Sequence, residues 1–444
     1  MNIKDKALAF AIKAHTGQVR KSEPDKPMII HPINVGQMLE SYGYNDNVIA
    51  AGYLHDVVED TKYEIEDIKK EFGSEIATLV MSASEPDKSL TWEERKMHTI
   101  KNTRDLSLEE KAVICADKIS NLEDIYLKFE RNGKKDFSSF NRGKKEQKWY
   151  YEEIYKALIH NEDETNPMLV KLKDLIDKVF HDKEDKKLKE IFADEKDYYK
   201  KLKKIHAKKM EIKKIKTIIG NTTPFVIEFT GTPRTGKTSI INNLYDFFKK
   251  GGFKVKIVEE FTTSKYYKVD LNDELSKLSI GERNLKILEY VYKQLCDVLD
   301  EKLDIIIIDR SINDRQIWNY MRSLSGDIPK EKYEKVREKY KLISKDKIDF
   351  LGITYADAKI SLKRDYMCNL ALEDRSFLNL ENITKYNNSL NNLQDLFKDS
   401  VDNYLLLDTS NITVNDSAIN FANSILDAMK VKYLEEFKKM YKID

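Results

Sequence analysis

The chain predicts two domains of different class: an all-α unit, then an α/β unit with a five-stranded, mostly parallel sheet. Three observations predict this. The 444 residues exceed what one core usually organises, since a domain takes roughly 100–200 residues. Up to about residue 160 the apolar residues recur at helical spacing and no alternating strand appears. From residue 223 short apolar runs alternate with helical stretches, the pattern of a covered parallel sheet with right-handed crossovers. The expected boundaries are an all-α domain over 1–160, a charged helical connector over 161–222 and an α/β domain over 223–444.

In order along the chain, Ala7, Leu8, Ala11 and Ile12 predict a first helix that ends near Gly17. Further helices are expected over 32–42, 46–60, 64–71, 75–82, 93–103, 108–129 and 146–159. Between residues 171 and 216 there are 17 lysines against 10 acidic residues. Leu188, Phe192, Tyr199, Leu202, Ile205, Ile212 and Ile215 keep a helical stripe through this stretch, so it reads as an amphipathic helix docked on a neighbour rather than a flexible tether. Its lysine-rich end lacks interleaved arginine and reads as a solvated face, not a nucleic-acid patch. Strands are expected over 225–230, 254–258, 304–308, 350–354 and 404–407. Helices are expected over 238–250, 282–300, 313–324, 331–343, 357–370 and 415–441.

Composition excludes several classes. The 77 Lys+Arg and 76 Asp+Glu nearly cancel, which argues against a protein built to hold nucleic acid or an anionic membrane. Hydrophobic residues at 41% suffice for real cores and exclude wholesale disorder. The longest uncharged stretches, 27–39 and 217–227, are shorter than the ~18 apolar residues of a membrane span. Lys4, Asp5, Lys6 and Lys13 stand where a signal peptide needs an apolar core. Cys115, Cys296 and Cys368 lie far apart and read as buried thiols of a reducing compartment. The expectation is a cytoplasmic protein with small-molecule partners and no membrane or nucleic-acid role; a homo-oligomer stays open.

Two motif sets carry chemistry. HDVVED at 55–60, placed inside the helix that begins near Asn47, puts His55, Asp56 and Glu59 on one helical face. His31 lies upstream in PMIIHP, and Asp117 and Asn121 sit four apart downstream in ADKISN. Two imidazoles and two carboxylates can surround one divalent ion and leave positions for water and substrate. AHTGQVRKS (14–22), HP (31–32), LHDVVEDT (54–61), FGSEIATLV (72–80) and ADKISN (116–121) resemble the HD-type hydrolase domain of the RelA/SpoT alarmone enzymes and, more closely, the small stand-alone alarmone hydrolases. The resemblance spans about residues 4–155. It implies that His31, His55, Asp56 and Asp117 hold a metal, usually manganese, and that Glu59 and Asp60 position or protonate at the reacting phosphate. Arg20, Lys21 and Asn121 would contact the substrate, and the reaction would remove the 3′-pyrophosphate of a (p)ppGpp-like nucleotide. Met28 departs from the aromatic residue common at its position, and no alarmone synthetase pattern follows.

The second set begins with GTPRTGKT, residues Gly231, Thr232, Pro233, Arg234, Thr235, Gly236, Lys237 and Thr238. It matches G-x-x-x-x-G-K-[ST] between an apolar strand and a helix, the setting a phosphate loop requires. The glycines admit phosphate oxygens to backbone N–H groups, Lys237 reaches the β- and γ-phosphates and Thr238 can ligate magnesium, so ATP with magnesium is expected. Glu259 and Glu260 end the second strand, and Asp309 and Arg310 end the third in IIIIDRS. Arg364 follows the fourth strand, and Arg375 falls in LEDRS. Over about 223–430 this layout resembles the thymidylate and deoxynucleoside kinases. The resemblance implies Glu259 as base, with Glu260 the alternative carboxylate at that strand end, Asp309 and Arg310 organising acceptor and magnesium, and Arg364 and Arg375 neutralising the phosphoryl group. The combined expectation is an alarmone-type pyrophosphohydrolase fused to a nucleoside or nucleotide kinase; the alternative is a hydrolase gated by an ATP-driven switch.

Overall fold

The computed structural model describes residues 2–20, 23–85, 89–181, 186–263, 272–370, 372 and 378–443. The chain divides into two compact units, one comprising Met1–Gly220 and Tyr433–Asp444 and the other Asn221–Lys432. Among the described residues no helix is long and apolar enough to cross a membrane.

Among its described residues the first unit is helical, as its periodicity predicts, apart from one hairpin. Strands β1 (Val19–Arg20) and β2 (Glu23–Pro27) form an antiparallel hairpin. Apart from Val19 its strand residues are charged or proline and do not alternate, so no period-2 signal marks it. Helix Leu108–Asn132 runs through the unit. Ser107 and Glu110 cap its start reciprocally and Gly133 closes its end at φ +69°. It buries Val113, Ile114, Ala116, Ile119 and Leu122. Helices Ile30–Ser41 and Asp46–Leu54 touch where Gly36 meets Tyr53; a Cβ on Gly36 would lie 2.3 Å from the Tyr53 ring.

The helix expected over 46–60 stops at Leu54, and a single turn, Val57–Asp60, follows. His55 and Asp56 therefore form a bend instead of sharing a helical face with Glu59. The physical reason is local: the Gly52 carbonyl accepts from the His55 imidazole Nδ1 at 2.8 Å, so the side chain competes with the helical ladder.

The connector is counted with the first unit. Its helix Lys196–Ile219 buries Ile205, Ile212, Ile215, Ile218 and Ile219. It also pairs with helix Leu108–Asn132 through Lys203–Glu130 at 2.9 Å and Glu211–Arg131 at 2.7 Å.

The second unit holds the five expected strands: β3 (Phe225–Gly231), β4 (Val255–Val258), β5 (Ile305–Asp309), β6 (Phe350–Tyr355) and β7 (Tyr404–Asp408). Their order is β4-β5-β3-β6-β7, and every pairing is parallel rather than mostly so. All seven residues of β3 are buried, which explains its near-continuous apolar run. Phe229 pairs with Asp309 and Gly231 with Thr354, so the carboxyl ends of β3, β5 and β6 meet where a parallel sheet places its ligand crevice.

Candidate functional site

In the first unit three helical segments bring the metal-type side chains together. His31 Nε2 lies 3.3 Å from His55 Nε2 and 3.1 Å from Asp117 Oδ1. His55 Nε2 lies 3.7 Å from the same Asp117 oxygen. Asp56 approaches both rings, at 3.1 Å from His55 Nε2 and 3.7 Å from His31 Nε2. Each imidazole has its other nitrogen engaged, His55 Nδ1 at the Gly52 carbonyl and His31 Nδ1 with Ser120 Oγ at 3.0 Å. A carbonyl can only accept, so His55 carries its hydrogen on Nδ1 and turns Nε2 inward as a donor atom.

The electrostatics ask for a cation at this point. Burial pulls the His31 imidazole down. Burial does the same to His55, but Asp56 and Asp117 outweigh it and hold that ring well above its usual range. Burial pushes both carboxyls up, yet each is held below its usual value, Asp56 by His55 and Asp117 by Lys118 and the histidines. Two buried carboxylates that favour positive charge at the His55 ring fit a divalent ion, which would take the place of the ring's extra proton.

Beside these residues opens a cavity of about 800 Å³ whose walls include Arg20, Asp60, Lys96, Lys118, Asn121 and Tyr150. Asn121 Nδ2 donates to Asp117 Oδ1 at 2.6 Å, and Lys118 Nζ pairs with Oδ2 at 2.6 Å. Arg20 pairs with Asp124 at 3.1 Å, and its Nε is buried without a partner. Glu59 accepts from the Glu85 N–H, and burial pushes its carboxyl up to about 7. The Asp60 carbonyl accepts from Gln18 Nε2 at 2.6 Å, and Gln18 Oε1 in turn meets His15 Nδ1 at 2.7 Å, which accounts for His and Gln in AHTGQ. Lys21 lies outside the described residues. Lys96 and Tyr150 join the cavity wall from outside any motif, and Lys118 is the lysine inside ADKISN.

In the second unit the GTPRTGKT loop joins β3 to helix Lys237–Lys250. Gly231 sits at φ +128° and a Cβ there would lie 1.9 Å from the Thr354 carbonyl oxygen; Gly236 caps the helix in the left-handed region. Side chains fix the loop from outside: Thr232 Oγ1 donates to Asn387 at 2.7 Å, Arg234 Nε to Asp365 at 2.6 Å, and Ser361 Oγ to the Pro233 carbonyl at 2.5 Å. Thr235 Oγ1 meets Thr354 Oγ1 at 2.7 Å. The loop lines a cavity of about 760 Å³ together with Glu260, Asp309, Arg310, Arg364 and Cys368.

Lys237 is buried in this wall; burial, reinforced by Arg310, pulls its amine down to about 8. Thr238 Oγ1 donates to Asp309 Oδ2 at 3.1 Å, while Asp309 Oδ1 is buried without a partner. A hydroxyl beside a half-satisfied carboxylate suits magnesium. Arg310 is held by Asp314 at 2.5 Å and by the Gly231 carbonyl at 3.2 Å. Arg364 donates to the carbonyls of Thr409 and Ser410, at 2.7 and 3.2 Å, beyond β7. Arg375 lies outside the described residues.

Two expectations need correction. Glu259 is exposed and lines a different groove, with Tyr290 and Lys293. Glu260 is the carboxylate in the loop cavity, 3.6 Å from both Arg310 and Arg315, because β4 ends at Val258 and the next two side chains diverge. The thiols are not all buried either: Cys368 is exposed at the cavity wall. Glu228, a charge at the centre of a buried strand, belongs to no motif. It accepts the N–H groups of Ser311, Asn313 and Asp314 at 2.9, 2.9 and 3.1 Å and so caps helix Ile312–Leu324.

Comparison with known proteins bears on the first unit above all. A family profile described as HD domain matches residues 7–138. The guanosine-3′,5′-bis(diphosphate) 3′-pyrophosphohydrolase MESH1 of Drosophila melanogaster is 38% identical over 122 residues, 27% of this chain and 68% of that protein. A solved structure from Listeria monocytogenes EGD-e is 41% identical, covering 34% of this chain and 99% of that one at a TM-score of 0.33. Deoxyadenosine kinase from M. mycoides, solved with bound dATP, is 18% identical, covering 45% of this chain and 98% of that one at a TM-score of 0.33. Through its first unit the chain belongs to the HD-domain family that includes the MESH1 pyrophosphohydrolases, a family of nucleotide-metabolising hydrolases.

Proposed function

We propose that the first unit removes the 3′-pyrophosphate of a guanosine bis(diphosphate)-type nucleotide, with a divalent cation such as manganese held by His31, His55, Asp56 and Asp117. The observation that carries this reading is the convergence of two imidazole Nε2 atoms and the Asp117 carboxylate beside a cavity walled by Arg20, Lys118 and Asn121. A divalent cation in such a donor set supplies charge against the phosphate and acidifies a water toward neutral pH. The protein's own groups do the rest. Arg20, on the cavity wall, offers its guanidinium charge to an anionic oxygen, and Asn121 and Lys118 hold Asp117 in place. Glu59, with its carboxyl near 7, exchanges a proton at neutral pH.

The second unit, in the same proposal, binds ATP with magnesium through Gly231–Thr238 and transfers a phosphoryl group to a nucleoside or nucleotide. Glu260 orients the acceptor hydroxyl, and Lys237 and Arg310 neutralise the phosphates. The presence of Glu260, Lys237, Asp309 and Arg310 in one cavity supports this reading. The test is the full chain incubated with manganese, magnesium, ATP and a panel of nucleotides, with products resolved by mass. Loss of a pyrophosphate from a 3′-pyrophosphorylated nucleotide and gain of one phosphate by an acceptor are expected. An intact 3′-pyrophosphate throughout overturns the first half, and ATP consumed with no acceptor labelled overturns the second.

A further inference from the structure

The hairpin carrying Arg20 is tied down from outside the matched HD region. Asn121 and Asp124, four and seven residues after Asp117 on one face of helix Leu108–Asn132, line the cavity. Asp124 divides its carboxylate. Oδ2 takes Arg20 at 3.1 Å and Lys26 at 3.7 Å, and Oδ1 takes Lys214 at 3.1 Å. Lys214 also reaches Glu123 at 2.9 Å. Three residues earlier on the same helix, Glu211 holds Arg131 at 2.7 Å, and Arg131 holds Glu23 of β2 at 2.9 Å. Lys214, Arg20 and Asp124 are each about a fifth exposed, at 19, 20 and 21%, so solvent screens these pairs only partly.

We propose that Lys214, on the helix that follows the HD region, is a positioning residue of the nucleotide site. It neutralises Asp124 so that Arg20 keeps its charge available to the substrate. This rests on the hydrolase reading above. Asp124 is an anion in the wall of a cavity meant for a polyanion. With Lys214 present, its charge is shared between one cation behind the wall and the cations of the hairpin. Without Lys214, Asp124 draws Arg20 fully and leaves net negative charge beside the phosphates. The consequence is weaker ground-state binding, not loss of the reacting groups, so KM rises while kcat holds.

The experiment uses the full chain and guanosine-3′,5′-bis(diphosphate), following turnover and, by calorimetry on metal-free protein, binding. Lys214→Met is expected to raise KM and weaken binding on the order of tenfold, with kcat within about twofold, as losing one partner of a partly buried charge pair does. Lys214→Arg, which keeps the charge, should stay near the parent, as should Lys200→Met on the exposed side of the same helix. If Lys214→Met does not fold, Lys214→Gln, which removes the charge but keeps a polar side chain, reads the same loss and should raise KM in the same direction. A Lys214→Met protein with the parent's KM and affinity overturns the proposal, and so does Lys214→Arg failing as badly as Lys214→Met. A parent that neither binds nor hydrolyses the nucleotide removes the hydrolase reading itself and the proposal with it, and the parent alone reveals that outcome.

Discussion

Thr238 and Asp309 meet at 3.1 Å at the mouth of the phosphate loop, and the second oxygen of Asp309 is buried without a partner. A carboxylate left half-satisfied beside a threonine hydroxyl is arranged for a cation. Asp309→Asn is therefore expected to weaken ATP binding in magnesium by about tenfold or more, while binding in EDTA changes little. Titration calorimetry under both conditions checks this; equal losses in both would disprove the cation role.

Lys237 gives the second unit a pH dependence with a definite sign. Its amine is pulled down to about 8 by burial and Arg310. A seated polyphosphate raises it again, so binding near pH 9 takes up a proton and affinity falls as pH rises past about 8. The folded pKa lies below the ordinary 10.5, so the ligand-free unit gains stability as pH climbs from about 8 toward 10.5. Calorimetry at pH 9 in buffers of different ionisation enthalpy measures the uptake; a value near zero would refute it.

Glu260 and Glu259 separate by substitution. Glu260→Gln should cut phosphoryl transfer by ~10²-fold, the range in which general bases contribute, with ATP affinity retained. Glu259→Gln should leave transfer near the parent's rate, since that side chain lines another groove. The reverse pattern in a labelled-ATP assay would place the base on the exposed side of β4.

Gly231→Ala should damage the second unit more than most single changes. The new Cβ would press within 1.9 Å of the Thr354 carbonyl oxygen at a backbone φ of +128°. A loss of about 2–4 kcal/mol is expected, by strain and overpacking together. Thermal unfolding would show it, and an unchanged melting temperature would mean that β6 yields freely.

Chelation should stop the hydrolase and manganese should restore it, whereas Asp56→Ala should bind less metal and stay inactive. Metal content and turnover measured on the same sample decide the matter. Undiminished turnover in the chelated parent would contradict the metal reading.

What could be read from the chain follows the physics of each signal. The central strands announce themselves because β3, β5 and β6 are buried on both faces and so read as near-continuous apolar runs, Glu228 being the exception. The phosphate loop is legible because its backbone conformation demands glycine at fixed positions. The β1–β2 hairpin is not, since a short charged ribbon with two prolines carries no period. The bend at His55 is hidden for another reason: it depends on a side chain bonding its own helix, which spacing cannot show. Glu260 against Glu259 turns on how a strand end twists. Lys214 looked like one lysine among many on a solvated face, and only its Asp124 and Glu123 partners distinguish it.

The side chains at positions 31, 55, 56 and 117 come from three stretches of chain that meet only when the first unit is folded. An ion held there, as proposed, would tether the helices together, with no matching grip in the unfolded chain. Each tenfold rise of free ion above its dissociation constant then adds about 1.4 kcal/mol to resistance against unfolding. Starved of metal, the same chain should open sooner to proteases in its first half, so ion supply would govern how long the protein lasts as well as how fast it works.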